Sequence, residues 1–195
     1  MNQRISTIIN ESIQVKQLIL KDETLQYHIS VIVDLTVNAL RKGNRLWFCG
    51  NGGSAADAQH LAAEFSGRFY KDRKALPAEA LHCNTSYLTA VANDYSFDVI
   101  YSRLVEGITS PGDILYGFST SGNSTNICKA FESAKNMGVI SIGFTGNSGG
   151  KMKTLSDVLI NVPSTVTPRI QEAHIMIGHI LCELTEEIYF ADTNK

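Results

Sequence analysis

An uninterrupted apolar run that stops abruptly at a turn of small residues and continues as a helix occurs twice in this chain. Residues 46–49 end at the glycine-rich segment 50–54, and residues 113–118 end at the serine-rich segment 119–124. Runs without polar alternation are typical of parallel strands that are buried on both faces. Their alternation with helices predicts parallel strands joined by right-handed crossovers.

The remaining segments follow the same scheme. Apolar runs predict further strands at 78–82, 139–145 and 158–162, and helical spacing predicts helices at 55–66, 126–137 and 168–189. We therefore expect an α/β fold with a doubly wound, mostly parallel five-stranded sheet flanked by helices.

The segment before the first strand contains no proline, and its first glycine is Gly43. Apolar residues recur there at helical spacing over 5–19 and again over 25–40. The second run stops at a basic pair followed by Gly43, where the basic side chains complement the helix dipole and glycine suits a left-handed cap. We expect two N-terminal helices over 1–43, packed on the core of a single domain that spans 1–195.

Charge and composition exclude several kinds of partner. The 195 residues are 44% hydrophobic, and the formal net charge is −2 with a pI near 6.2. Nonspecific binding to nucleic acid or to an anionic membrane requires a concentrated basic surface, so we expect neither partner. The polar N-terminus predicts no signal sequence, no apolar run is long enough to span a bilayer, and the four cysteines stand singly, so we expect a cytoplasmic protein with reduced thiols.

The serine-rich segment predicts a phosphate site. It places four hydroxyl groups and a glycine between a buried strand and a helix. An anion is favoured at a helix start, and hydroxyl groups donate to phosphate oxygens without adding charge. The alternative is a turn in which the same residues only cap the helix. Neither G-x-x-x-x-G-K-[ST] nor G-x-G-x-x-G occurs, so we expect no nucleotide cofactor.

The glycine-rich segment strengthens this prediction. It follows the other buried strand and should lie at the same carboxyl edge of the sheet, where open α/β sheets bind ligands. Its glycines allow a substrate to approach the backbone closely. Two such loops facing one crevice predict a small polar phosphorylated ligand.

Histidine and acidic residues at helical spacing suggest a metal site, although a solvated helix face is the simpler interpretation. His60 and Glu64 lie four residues apart on one predicted helix, with Cβ atoms about 5 to 6 Å apart. The C-terminal helix offers Gln171, His174 and His179. Gln171 and His179 are about 80° apart around it and His174 is about 140° from His179, so only one histidine easily joins Gln171. Such donors suit zinc better than calcium.

With these residues in view, the sequence closely resembles phosphoheptose isomerases (sedoheptulose 7-phosphate isomerases), members of the sugar isomerase or SIS superfamily. The resemblance covers nearly the whole chain. The motifs that carry it are 49–54, 60–68, Asn93 with Asp94, 119–124 and 169–174 with His179. Together they are far more specific than any one of them alone.

The resemblance implies a SIS fold and a sugar-phosphate site. That site would comprise Asn51, Gly52, Gly53, Glu64, Asn93, Asp94, Ser119, Thr120, Ser121, Ser124 and Gln171. The resemblance also implies one zinc ion per subunit, held by His60, Glu64, Gln171 and His179, and so favours His179 over His174. Family members are homotetramers with active sites between subunits, and the two N-terminal helices would pack on neighbouring subunits.

The implied reaction converts sedoheptulose 7-phosphate into D-glycero-D-manno-heptose 7-phosphate through an enediol, the first step of nucleotide-activated heptose biosynthesis. Proton transfer between C1 and C2 needs a base, an acid and stabilisation of the enediolate. Glu64 is the candidate base at carbon, and His179 is the candidate that moves protons on the oxygens. A metal held by His60 and Gln171 would polarise the carbonyl.

Two alternatives remain open. One is a regulatory SIS protein that associates with the replication initiator, and the other is an isomerase or lyase of a different sugar phosphate. The regulatory relatives share both loops but lack the glutamate at the position of Glu64, so the presence of Glu64 with His60 and His179 favours the enzyme. The segment 165–169 departs from relatives that carry an acidic residue just before the position of Arg169. We therefore expect no catalytic help from such a group.

Overall fold

The computed structural model of the chain describes residues 1–191, so the last four residues of the predicted domain lie outside the described part. The helices of this part are α1 (Asn2–Lys21), α2 (Glu23–Arg41), α3 (Gly53–Ser66), α4 (Thr85–Asp94), α5 (Ile100–Ile108), α6 (Thr125–Met137) and α7 (Thr167–Tyr189). Its strands are β1 (Leu46–Gly50), β2 (Ala78–Ala80), β3 (Ile114–Phe118), β4 (Ile140–Thr145) and β5 (Val158–Asn161).

The strands form one parallel sheet in the order β2-β1-β3-β4-β5. The strand order reverses between β1 and β3, and open α/β sheets bind ligands in the crevice outside the carboxyl ends at such a point. The register pairs Gly50 with Phe118, which brings the glycine-rich and serine-rich segments to neighbouring positions at that edge. The fold class predicted from the sequence is confirmed.

Both faces of the sheet are covered. Every residue of β1 and β3 is buried, as their continuous apolar runs predicted. One face packs Phe48, Tyr116 and Phe144 against α1, α2, α3 and α7, and the other packs Trp47 and Leu115 against α4, α5 and α6. Helices on both faces of a parallel sheet are the doubly wound arrangement.

Most helix and strand bounds lie within two or three residues of the predicted ones, and the edge of the sheet shows the main differences. β2 ends at Ala80 rather than at 82, because the chain turns at residues 81 and 82, although the amide of Leu81 still donates to the carbonyl oxygen of Phe48 on β1. The helices α4 and α5 were not predicted. A local signal for α4 exists in Asn84, whose side chain caps the helix by accepting a hydrogen bond from the amide of Tyr87.

The two N-terminal helices differ in how much they bury. Asp22 separates them and caps α2 by accepting a hydrogen bond from the amide of Leu25 at 2.9 Å. Most of the buried residues of α2 join the core, whereas α1 buries only Val15 and Ile19. The first part of α1 instead exposes four isoleucines, Ile5, Ile8, Ile9 and Ile13. In the described range, no helix has the length and apolar character that crossing a membrane requires.

Candidate active site

The serine-rich loop closes on itself through its hydroxyl groups. It begins directly after β3 and ends at Ser124, the residue before α6. Ser119 Oγ lies 2.8 Å from Ser124 Oγ and 3.5 Å from Ser121 Oγ. Ser119 is almost fully buried, whereas Ser121 is exposed. The side chain of Ser124 makes no capping bond to α6, so its hydroxyl group stays with Ser119 rather than with the helix.

Backbone amides add donors to the hydroxyl groups of this loop. Within residues 1–191, the amides of Thr120, Ser121 and Thr125 donate no hydrogen bond. The dipole of α6 is positive at this end. A cavity of about 310 Å³ opens beside the loop, and among the described residues its lining consists of hydroxyl, amide and apolar groups without a charged side chain. An anion bound here is stabilised by dipoles and hydrogen bonds rather than by a counter-charge.

The glycine-rich loop lies beside the serine-rich loop and is bonded to the first turn of α6, which follows that loop. The side-chain amides of Asn51 and Asn126 exchange two hydrogen bonds of 2.9 Å. Gly52 has a φ angle of 57°, which residues with a side chain rarely adopt. A Cβ atom on Gly53 would lie 2.7 Å from Gln171 Nε2, so glycine at the first position of α3 lets Gln171 reach this loop. The structure therefore gathers both loops and Gln171 at one edge of the sheet.

His60, Glu64 and His179 form a separate polar cluster on α3 and α7. His60 Nε2 lies 3.0 Å from His179 Nε2 and 3.2 Å from Glu64 Oε1. One ligand atom from each of the three residues lies within 4.8 Å of the other two. The side chains of His60 and Glu64 are 49% and 23% exposed, so solvent or a ligand can reach the cluster.

The geometry of this cluster fits a divalent cation. Zinc binds imidazole nitrogen at about 2.0 to 2.1 Å, so two ligands at a tetrahedral angle lie about 3.3 Å apart. The separations of 3.0 Å and 3.2 Å between the ligand atoms are close to that value. Gln171 stands two turns before His179, about 12 Å along the axis of α7, and it contacts Gly53 instead. Its place in the ligand set stays a prediction.

A close approach of two helices brings the cluster together. α3 and α7 lie side by side, with Leu61 against Gly178 and His60 against His179. A Cβ atom on Gly178 would lie 2.5 Å from Leu61 Cδ1. The absence of a side chain at position 178 therefore allows the separation at which the two histidine rings meet.

The other histidine of α7 faces the core. His174 is fully buried, and its ring packs edge-on against Phe144. Burial lowers the pKa of His174 to about 4, so the ring is neutral near pH 7 and its Nε2–H donates to the carbonyl oxygen of Thr145 at 3.1 Å. His179, not His174, is thus the histidine of α7 that meets His60.

Asn93 and Asp94 lie at the last turn of α4. Asn93 Nδ2 donates to Asp94 Oδ1 at 2.9 Å, and both residues are exposed. Across the described range, no hydrogen bond joins either side chain to the loops or to the cluster. Their part in the substrate site stays a prediction.

Three charged residues beside the cluster were missed in the sequence. Asp57 lies one turn before His60, and its Oδ2 is buried without a hydrogen-bond partner in residues 1–191. Burial raises the pKa of Asp57 to about 6, although the nearby His60 lowers it. Arg73 and Glu186 form a buried ion pair of 2.7 Å. One signal was available, because Glu186 continues the buried stripe of α7 that includes Cys182.

Comparisons with known proteins agree with this architecture. The SIS domain family matches residues 12–146. The chain is 51% identical over 188 residues to a phosphoheptose isomerase of Clostridium acetobutylicum, covering 96% of both proteins. It is 50% identical over 190 residues to one of Aneurinibacillus thermoaerophilus, covering 97% of this chain and 96% of the relative. A solved phosphoheptose isomerase from Neisseria gonorrhoeae superposes with a TM-score of 0.90 at 40% identity, over 95% of this chain and 98% of the other.

Proposed function

From the premise that this chain belongs to the SIS domain family and, within it, to the phosphoheptose isomerases, we propose that it converts sedoheptulose 7-phosphate into D-glycero-D-manno-heptose 7-phosphate for heptose biosynthesis. The observation that carries the proposal is an uncharged loop of hydroxyl groups at the carboxyl edge of the sheet together with the cluster of His60, Glu64 and His179. The loop suits a phosphate, and the cluster suits proton transfer.

The two loops at the carboxyl edge would bind the phosphorylated part of the sugar. Ser119, Thr120, Ser121 and Ser124 offer hydroxyl groups, and the amides of the loop offer further donors. Phosphate lies far from the reacting carbons of a heptose chain, so its binding energy can favour the transition state. Asn51, Gly52 and Gly53 would line the neighbouring wall, and Asn93 and Asp94 are proposed to complete the site.

The cluster would carry out the isomerisation. In the forward direction Glu64 takes a proton from C1 and returns it to C2, so that an enediol forms and collapses. His179 supplies a proton to the carbonyl oxygen at C2 and removes one from the hydroxyl group at C1. Both side chains lie within reach of one substrate because their polar atoms share one small cluster.

We further propose that the cluster binds one zinc ion per subunit. His60, Glu64 and His179 would hold it, and the bound ion would supply Lewis-acid polarisation of the substrate carbonyl. Gln171 is proposed as the fourth ligand, and in this structure its side chain lies against Gly53. Active sites between subunits belong to the same proposal.

The proposed assembly is a homotetramer of single SIS domains, in which residues 1–43 pack on the core and on neighbouring subunits. Its support is the exposed apolar face of α1, with Ile5 50% and Ile9 53% exposed. A groove of about 540 Å³ between α1, α2 and α7 extends that apolar surface. Sedimentation velocity of the wild type beside Ile9→Glu tests it, and a monomer in both samples would contradict the assembly.

A cytoplasmic location belongs to the same proposal. All four cysteines are free in the structure, as expected in a reducing compartment. The charged phosphate of the substrate also cannot cross a membrane unaided.

The deciding experiment incubates the purified protein with sedoheptulose 7-phosphate, with and without added zinc, and follows aldoheptose phosphate by NMR. Glu64→Gln serves as the variant, because it keeps the size of the side chain and removes the base. Product from the wild type that is lost in the variant supports the isomerase and its base, and a dependence on zinc supports the metal.

Other outcomes point to the two remaining candidates. No product under any metal condition, from a folded protein that binds the phosphate, would contradict the enzyme and favour a regulatory sugar-phosphate-binding protein. Turnover of another ketose phosphate with a higher kcat/KM would keep the chemistry and change the substrate.

A further inference from the structure

We infer that the buried pair Arg73–Glu186 is a positioning device for the isomerisation, which holds Glu64 and His179 in their mutual arrangement without touching the substrate. The inference rests on the proposed function and adds two residues to its machinery. Both side chains are nearly inaccessible, at 4% and 2% exposure, and 113 residues separate them in the chain.

Glu186 organises the segment that follows α3. Its Oε1 accepts hydrogen bonds from the amides of Tyr70 and Lys71 at 2.9 Å and 2.8 Å, and its Oε2 accepts one from the amide of Phe69 at 3.2 Å. Burial alone would raise the pKa of Glu186, but these three amides and Arg73 hold it below its ordinary value. The carboxylate is therefore charged and fully engaged at neutral pH.

Arg73 closes the C-terminal end of α3. Its Nη2 donates to the carbonyl oxygen of Glu64 at 2.9 Å, and its Nη1 donates to those of Phe65 and Gly67 at 2.8 Å and 3.2 Å. The last carbonyl groups of a helix have no intrahelical partner, and a cation is favourable beside them. The guanidinium group thus fixes the backbone of the residue that carries the proposed base.

The same pair reaches His179 through the segment that it organises. The ring of Phe69 lies 5.8 Å from the ring of His179, tilted by 39°. Glu186 also stands on α7, two turns after His179. One ion pair therefore links the end of α3, the ring packed on His179, and α7 itself.

A structural role alone does not account for this placement. Asp113 shows what such a role looks like elsewhere in the fold: its carboxylate accepts bonds from the amides of Arg45 and Ser110 and from the indole of Trp47, beside the amino end of β3. In the described part of the chain, the hydrogen-bond partners of Asp113 include no group of the proposed chemistry. Arg73, by contrast, binds the backbone carbonyl group of Glu64. Glu186 binds the backbone amide of Phe69, whose ring packs against His179.

The test compares Glu186→Gln with Asp113→Asn, which is the matched control because each change neutralises a buried carboxylate that organises backbone amides. All assays are run at a temperature where circular dichroism shows both variants folded. For Glu186→Gln we expect kcat to fall about 10- to 100-fold while KM changes less than about threefold, since a displaced catalytic group slows the chemical step. Asp113→Asn should lose stability and keep its kcat.

A second variant and a second measurement keep the inference testable. Arg73→Lys keeps the charge but cannot reach several carbonyl groups at once, so its kcat should fall between the wild type and Glu186→Gln. The ring resonances of His179 should shift in both variants. The affinity for a reduced heptitol 7-phosphate, measured by calorimetry, should stay unchanged. If Glu186→Gln does not fold, the kcat and the His179 resonances of Arg73→Lys decide.

The inference is overturned if folded Glu186→Gln keeps its kcat, or loses no more than Asp113→Asn does, or leaves the His179 resonances in place. A wild type that does not isomerise sedoheptulose 7-phosphate would instead refute the proposed function. In that case the His179 resonances still decide whether the pair positions the cluster.

Discussion

The serine-rich loop and the cluster of His60, Glu64 and His179 are built in opposite ways. The loop comes from consecutive residues, 119–124, and closes through its own hydroxyl groups without any charged side chain. The cluster combines side chains 119 residues apart in the chain, and it depends on the close packing of two helices.

Because of this difference, we expect phosphate binding and proton transfer to respond differently to mutations. A loop stabilised by local hydrogen bonds and a helix dipole should keep its affinity for phosphate when distant packing is disturbed. A cluster assembled by packing should lose its geometry first, and with it the rate of proton transfer. The predictions below probe each region in turn.

The largest effect is expected in the cluster. Glu64→Gln should lower kcat by about 10³-fold, because it removes the proposed base while it keeps the shape of the side chain. Binding of heptitol 7-phosphate should stay within about threefold, since the loop is unchanged. Glu187→Gln on the exposed side of α7 is the control and should have full activity. A Glu64→Gln enzyme with wild-type kcat would remove the acid–base role from the cluster.

The next effect concerns the free energy of unfolding and the buried His174, which lies on α7 beside the end of β4. His174 has a pKa of about 4 in the folded protein, lowered by burial, against about 6.5 when unfolded. The unfolded state therefore takes up the proton more readily. The free energy of unfolding should be unaffected by His174 above about pH 6.5 and should fall by about 3 kcal/mol as the pH drops to about 4.

Urea denaturation between pH 7.5 and pH 4.5 measures this contribution. His174→Gln, which stays neutral, should show a flatter dependence of stability on pH than the wild type does. Equal slopes in the two proteins would place the acid sensitivity in other groups.

A smaller effect is expected from widening the contact between α3 and α7. A Cβ atom on Gly178 would lie 2.5 Å from Leu61 Cδ1, so Gly178→Ala should cost about 2 kcal/mol and lower kcat more than it raises KM. Gly107→Ala is the matched control, because Gly107 too is in a helix and, apart from the backbone of that helix and its chain neighbours, no atom of residues 1–191 lies within 4 Å of its Cβ position. Thermal denaturation and steady-state kinetics of both variants check this, and an unchanged kcat for Gly178→Ala would show that the cluster tolerates the displacement.

The sequence predicted the features that depend on consecutive residues and missed those that depend on contacts between distant ones. The strands β1 and β3, their turns and their helices were predictable because each depends on consecutive residues, such as the hydroxyl-rich run that begins at Ser119. The pair Arg73–Glu186 and the contact between Leu61 and Gly178 were not, because each arises only when α3 and α7 pack together.

The candidate metal donors lie between these two cases. Helical spacing placed His60 and Glu64 on one face of a helix, and the resemblance was needed to make them a predicted metal site. Helical geometry left His174 and His179 as alternatives, and the resemblance favoured His179. In the structure, burial of His174 against Thr145 separates the two histidines physically. Gln171 contacts Gly53 at the other end of the contact between α3 and α7, which no helical spacing could have indicated.

The smallest effect should come from the loop, and it tests whether the loop only binds. Ser119→Ala removes a buried hydroxyl group that lies 2.8 Å from Ser124 Oγ, and the loss of one hydrogen bond to a charged group should lower kcat/KM by about tenfold. Because phosphate binding holds the reacting carbons in place, kcat should fall along with the affinity. Ser156→Ala, before β5 at the opposite edge of the sheet, is the control. A rise in KM with kcat unchanged would mean that the loop binds ground state and transition state equally, and the cluster alone would then set the rate.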